Sequence, residues 1–222
     1  MTLRLRHLAG AAALVAALLA WAQPARELGF TTMASAGLLD AYGARFGTGA
    51  RTRLEGWKQF AVERKAAPAA ELELLSVVNA WMNRIRFIED VRHWRREDYW
   101  ATPAESVASN GGDCEDYSIA KYFLLKELGV PIARLRLTYV NAVRLGQAHM
   151  VLAYYPSPDA EPLVLDNLDP AVRLASQRTD LVPVYSFNDE EVWIEARGRS
   201  GSPRQIRNWS AVIERLEHEA RM

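Results

Sequence analysis

A chain of 222 residues holds a single cysteine, Cys114, so no disulfide can form within it. Net charge is missing as well. Twenty-seven basic residues balance 27 acidic ones, which argues against a partner held by bulk electrostatics, such as nucleic acid. Internal repeats and low-complexity linkers are absent, which removes solenoids and loosely tethered modules. Past residue 22 no apolar run approaches the length of a membrane span. What is present is a globular composition, 50% hydrophobic and 24% charged, with enough chain for one domain of ordinary size.

The one long apolar run is N-terminal. Arg4 and Arg6 precede residues 8–20, and Ala20-Trp21-Ala22 forms a small-x-small cleavage site. This is the layout of a secretory signal peptide over residues 1–22, ahead of a single domain over residues 23–222. The run is short for a span; an uncleaved anchor is the alternative. Removing two arginines and no acid leaves the mature chain slightly acidic. In an oxidising compartment an unpaired cysteine is either a buried spectator or a free reactive thiol. Gly111-Gly112-Asp113-Cys114-Glu115-Asp116 is a poor setting for a packing residue, which favours the reactive reading.

That stretch runs directly into an apolar-periodic segment, residues 117–128, which predicts Cys114 at a helix N-terminus. The helix dipole and free N–H groups there favour the thiolate, while the three acids oppose it. The acids read in two ways. They are helix caps, with Asp113 at the N-cap, or Asp113, Glu115 and Asp116 are oxygen ligands of a hard cation such as calcium. Three acids in four residues are not an EF-hand, so a cation would need further oxygens.

Helical spacing predicts helices over residues 34–46, 52–65 and onward from Pro68, with Trp57 and Trp81 in the core. Gly47, Gly49, Arg51 and Arg53 are expected to interrupt the first two. Residues 85–100 read as an ordered, aromatic-rich loop crossing the surface, and Pro103 as the start of a short helix. Gly129, before Val130-Pro131, predicts a left-handed stop for the central helix. The period then changes to two: strands are expected over residues 134–142, 147–155, 163–166, 181–188 and 192–195, joined as an antiparallel meander. A helix from Pro203 closes the chain. The fold class is therefore α+β, a helical N-terminal half and a central helix packed on a sheet.

Three histidines follow the signal segment: His93, His149 and His218. His93 lies in a charged loop and His218 near a solvated helix end. His149 sits among apolar neighbours in a predicted strand, and Asp166 ends the next one. Neighbouring strands lie roughly 5 Å apart, so the two can meet. Cysteine, histidine and aspartate on these elements can converge as nucleophile, base and orienting group.

Asp98-Tyr99-Trp100-Ala101-Thr102-Pro103, Gly111 to Tyr122, Gln147 to Tyr155, Val164 to Leu168 and Val184 to Asn188, in this order, resemble the bacterial transglutaminase-like cysteine proteinases of the LapG type. The resemblance covers nearly all of the mature chain. It implies a transglutaminase/papain-like core with Cys114 as nucleophile, His149 as proton shuttle and Asp166 as its orienter. It also implies dependence on calcium, with Asp113, Glu115 and Asp116 as the expected ligands. The implied substrate is a large repeat adhesin, cut in its N-terminal region in the periplasm so that it leaves the cell surface and the biofilm disperses. The implied regulator is a cyclic-di-GMP-sensing inner-membrane receptor whose periplasmic domain binds the protease, with Trp100 resembling the exposed tryptophan that it captures. Two other readings keep the same core: a transglutaminase-type acyl transferase, in which an amine resolves the thioester, and a non-catalytic binding module.

Overall fold

The computed structural model describes residues 34–67, 69–195 and 198–222; the expected signal segment and Pro68, the expected start of the third helix, lie outside the described residues. Helix α1 (Ala36–Phe46) opens on Ser35, whose side chain accepts the Leu38 N–H. Helix α2 (Thr48–Ala66) begins earlier than the expected residue 52. Only Gly47 interrupts the helical path, at φ +87°, while Gly49 stays within the helix. Helix α3 is Glu71–Met82. Trp57 and Trp81 do pack as core, their ring centroids 6.2 Å apart.

Residues 85–100 depart from the expected surface loop. Strand β1 (Arg86–Phe87) pairs in parallel with β2 (Gly111–Gly112), and the short helix α4 (Asp90–His93) follows it. Asp90, Tyr99 and Trp100 are buried. The charge density of this segment suggests solvent, but its backbone pairing pulls it against the Gly111-Gly112 turn. Helix α5 (Pro103–Ser109) starts as expected, on a capping box in which Thr102 and Glu105 each accept the other's N–H.

Helix α6 (Cys114–Glu127) is the axis of the molecule. Every residue from Asp116 to Leu125 is buried, with α3 on one side and the sheet on the other. It stops at Gly129, φ +91°.

Strands β3 (Leu135–Ala142), β4 (Gln147–Tyr154) and β5 (Leu163–Leu165) match the expected segments to within a residue or two, as do β7 (Leu181–Phe187) and β8 (Val192–Ile194). Two-residue strands β6 (Arg173–Leu174) and β9 (Gly198–Arg199) are too short to show alternation and escaped the sequence reading. The connectivity corrects the simple meander: the order is β6-β5-β4-β3-β7-β8-β9, so β7 returns to pair with β3 in the middle of the sheet. Pro183, which has no N–H to give the ladder, sits where the β3–β7 register shifts between Tyr139 and Val140. Helix α7 (Arg207–Glu219) closes the fold, with Trp209 against Tyr122, Phe123 and Phe187. No helix of the described residues is long and apolar enough to cross a membrane.

Candidate active site

Two glycines let the turn ahead of Cys114 lie flat against its supports. A Cβ on Gly111 would meet the His93 ring at 2.6 Å, and one on Gly112 would meet the Asp116 side chain at 2.5 Å. His93 is thus a support: its Nε2 lies 2.8 Å from Ser109 Oγ, behind the turn. His218 is exposed at the far end of α7.

Where β5 ends at Leu165, the first turn of α6 takes the place beside β4. The single Ser118 hydroxyl hydrogen is shared between the Met150 carbonyl at 3.0 Å and the Cys114 carbonyl at 2.9 Å. His149, which precedes Met150, and Cys114 therefore line one cleft of about 890 Å³, together with Trp100, Tyr139 and Tyr185. Tyr139 and Tyr185 stack at 5.2 Å between centroids and form one wall of it.

His149 and Asp166 are 3% and 1% exposed, and His149 Nε2 lies 2.8 Å from Asp166 Oδ1. Burial alone would raise the Asp166 pKa. The hydrogen bond and charge of His149, the Leu168 N–H and the Arg178 guanidinium outweigh it and hold it at about 2. An ionised carboxylate only accepts, so Nε2 carries the imidazole proton and Nδ1 is left as the basic nitrogen. Arg178 Nη2 stands 2.7 Å from Asp166 Oδ2, and Asn83 Nδ2 donates to the Asp166 carbonyl at 2.9 Å.

The acids behave differently from helix caps. Asp113 occupies the N-cap position but its side chain caps nothing. Asp116 accepts the Ala101 N–H at 2.7 Å. Candidate ligand oxygens of Asp90, Asp113 and Asp116 lie within 4.8 Å of one another, as do those of Asp90, Asp98 and Glu115. Asp90 Oδ1, Asp113 Oδ1 and Asp116 Oδ2 are buried with no hydrogen-bond partner. Burial, reinforced by mutual repulsion, lifts Asp113 to about 8 and Asp90 to about 7, and Asp116 well above its ordinary value. Unpartnered carboxylate oxygens crowded in this way fit a hard cation. The expected ligands Asp113, Glu115 and Asp116 thus fall in overlapping groups: Asp113 and Glu115 also meet each other beside the Cys114 sulfur, and the other two groups share Asp90, which local sequence did not mark as a ligand, nor did it mark Asp98. Asp98 opens the Asp98-Tyr99-Trp100 stretch. Asp90 carried no signal, because a charged loop looks solvated.

The same carboxylates act on the thiol. Cys114 Sγ donates to Glu115 Oε2 at 3.0 Å. Burial first, then the charges of Glu115 and Asp113, push the thiol pKa up, against the dipole effect expected from the helix start.

Trp100 is 6% exposed, stacked on Phe187 at 5.9 Å, and its carbonyl accepts the Arg215 guanidinium. This corrects the expectation of an exposed tryptophan. The aromatic cluster between the sheet and α7 takes up its ring.

Residues 55–200 match the family model described as bacterial transglutaminase-like cysteine proteinase. Among solved structures, Legionella pneumophila LapG is similar in three forms. The EGTA-treated form is 37% identical with a TM-score of 0.71, over 81% of this chain and 96% of that one. A further LapG structure is 38% identical with a TM-score of 0.70, over 81% and 94%. The calcium-bound form is 38% identical with a TM-score of 0.68, over 80% and 97%. No curated protein sequence matches the chain.

Proposed function

Because the chain belongs to the bacterial transglutaminase-like cysteine proteinases, we propose that Cys114, His149 and Asp166 are its catalytic triad in a calcium-dependent endopeptidase. The observation that carries this is the 2.8 Å contact between His149 Nε2 and Asp166, at the wall of the cleft that Cys114 also lines. Cys114 Sγ, its proton passed to His149 Nδ1, attacks the scissile carbonyl carbon. The resulting oxyanion is held by backbone N–H groups, among them that of Cys114. When the tetrahedral intermediate collapses, the imidazolium gives its proton to the leaving amine and a thioester remains. Water, deprotonated by the same imidazole, then releases the acid and restores the thiol. Asp166 holds the ring in the tautomer this requires and stabilises its cationic form.

Asp90, Asp113 and Asp116, with Asp98 and Glu115 beside them, are the residues that would hold calcium. A bound dication would supply positive charge that offsets the carboxylates now keeping the thiol neutral.

The finer reading extends the family likeness: export to the periplasm and cleavage of the N-terminal region of a large surface adhesin, releasing it and dispersing the biofilm. A cyclic-di-GMP-sensing inner-membrane receptor is the proposed regulator. With Trp100 buried, other residues around the cleft mouth would make that contact, among them exposed Phe87 and Leu168.

Incubation with adhesin N-terminal fragments, read by product mass, tests the reading. Cleavage is expected from the wild type in calcium, and none from Cys114→Ala or in chelator. Cleavage retained by Cys114→Ala would refute the nucleophile. A labelled primary amine in the same mixture separates the acyl transferase, which would incorporate label without cutting the chain.

A further inference from the structure

We propose that Arg178 is the positioning residue of the Asp166–His149 pair, its guanidinium fixing the carboxylate so that one oxygen is kept for the imidazole. The proposal rests on the triad reading above. Asp166 Oδ1 serves His149 Nε2 and the Leu168 N–H, at 2.8 and 3.1 Å. Oδ2 faces Arg178 Nη2 at 2.7 Å. Each oxygen thus has its own cationic or polar neighbour, and rotation of the carboxylate about its bond to Cβ would break both sets.

Arg178 is itself held. It is 6% exposed, and its Nε and Nη2 donate to the two oxygens of Asp180 at 3.0 and 2.9 Å. The turn that carries it is tied to the sheet: the Leu181 N–H reaches the Arg178 carbonyl at 3.0 Å, and the Val143 N–H reaches that of Asp180 at 2.9 Å. A planar fork is needed to grip Asp180 with two nitrogens and still reach Asp166, which a lysine ammonium cannot do. Arg178 lines a groove on the face of the sheet away from α6, so it acts through Asp166 and touches no substrate in the cleft.

The charged groups around Asp166 are His149 from β4, Arg178 from its turn and Lys121 from α6. Leu168 N–H and the Asn83 amide are neutral donors. Removing Arg178 leaves the carboxylate buried with less positive charge around it. Its proton affinity rises, and protonation at mildly acid pH disengages the imidazole.

The test uses the only cysteine of the chain. The rate of Cys114 alkylation by iodoacetamide is followed against pH in calcium-containing buffer for wild type, Arg178→Met, Arg178→Lys, Asp180→Asn and His149→Ala. Peptide hydrolysis is measured alongside. Arg178→Met is expected to react roughly tenfold more slowly at mildly acid pH, with the acid limb of its profile moved toward neutrality and its thermal midpoint kept. Arg178→Lys should recover part of the rate. Asp180→Asn, which keeps the Asp166 ion pair but loosens its anchor, should fall between. An Arg178→Met profile superposed on the wild type overturns the proposal. If that variant does not fold, wild-type profiles in both Arg178→Lys and Asp180→Asn overturn it. Displaced profiles without peptide cleavage by the wild type would keep the positioning role and remove the protease reading. A His149→Ala profile equal to the wild type would remove both.

Discussion

Asp90 from α4 and Asp116 from α6 reach the same small volume, and each brings a buried oxygen with nothing to accept from. An uncompensated buried carboxylate is costly, so the cluster is built for a counter-charge. Asp90→Asn removes one charge while keeping the side-chain shape. Calorimetric titration is expected to find calcium affinity lowered about tenfold, or ~1.4 kcal/mol. Unchanged affinity would place the ion elsewhere. At this scale the sequence was informative where chemistry is local. The run from Gly111 to Asp116 announces a nucleophile turn because glycine, acid and thiol stand side by side. Asp90 could not be read, since nothing in Glu89-Asp90-Val91-Arg92 distinguishes a buried carboxylate from a solvated one. Trp100 failed in the opposite sense, because the partner that buries it, Phe187, comes from a distant strand.

Helix α6 is the element that joins the two halves of the site, and its entry angle depends on Gly112. An alanine there would place its Cβ 2.5 Å from Asp116 Oδ2 and 2.7 Å from Asp116 Cβ, against a side chain that is itself buried. The clash cannot be relieved by rotating a flexible tip. Gly112→Ala is expected to destabilise the fold by about 1–3 kcal/mol, measured by urea denaturation, and to lose calcium binding with it. A variant of wild-type stability would show that the turn has slack. The helix was legible from periodicity, and so was its stop at Gly129. The pairing of β1 with β2 was not, because a parallel two-residue ladder leaves no alternation in the sequence.

Across the described residues, helices α1 and α7 meet the segment ahead of Cys114 at one buried carboxyl group. Glu219 accepts hydroxyl hydrogens from Tyr42 and Thr102, and Glu105 lies nearby with Arg45 and Arg215 on it. Burial lifts the Glu219 pKa to about 7, with its hydrogen bonds opposing the rise only in part. An acid whose folded pKa lies above its unfolded value binds more protons in the native state. Its contribution to stability is complete below about pH 4.5 and is lost as pH climbs to about 7. In thermal melts this loss should lower stability by on the order of 1 kcal/mol per pH unit across that window. Asp90 and Asp113, also raised, add to the same slope, so Glu219→Gln, whose amide oxygen can accept both hydroxyls, should reduce it by that share. A slope unchanged in the glutamine variant would assign it to the other groups alone.

By itself the amino-acid order determined the fold class, the central helix, most strands and the three residues proposed for catalysis, because each rests on spacing between near neighbours or on residue chemistry that few other positions share. Only the tertiary structure decided the strand order through the middle of the sheet, the Asp90 and Asp98 contribution to the acidic cluster, the burial of Trp100 and the ion pair between Arg178 and Asp166. These depend on contacts between segments far apart in the chain. Whether a charge or a ring is buried is set by what arrives from elsewhere to cover it, and local sequence carries no record of that.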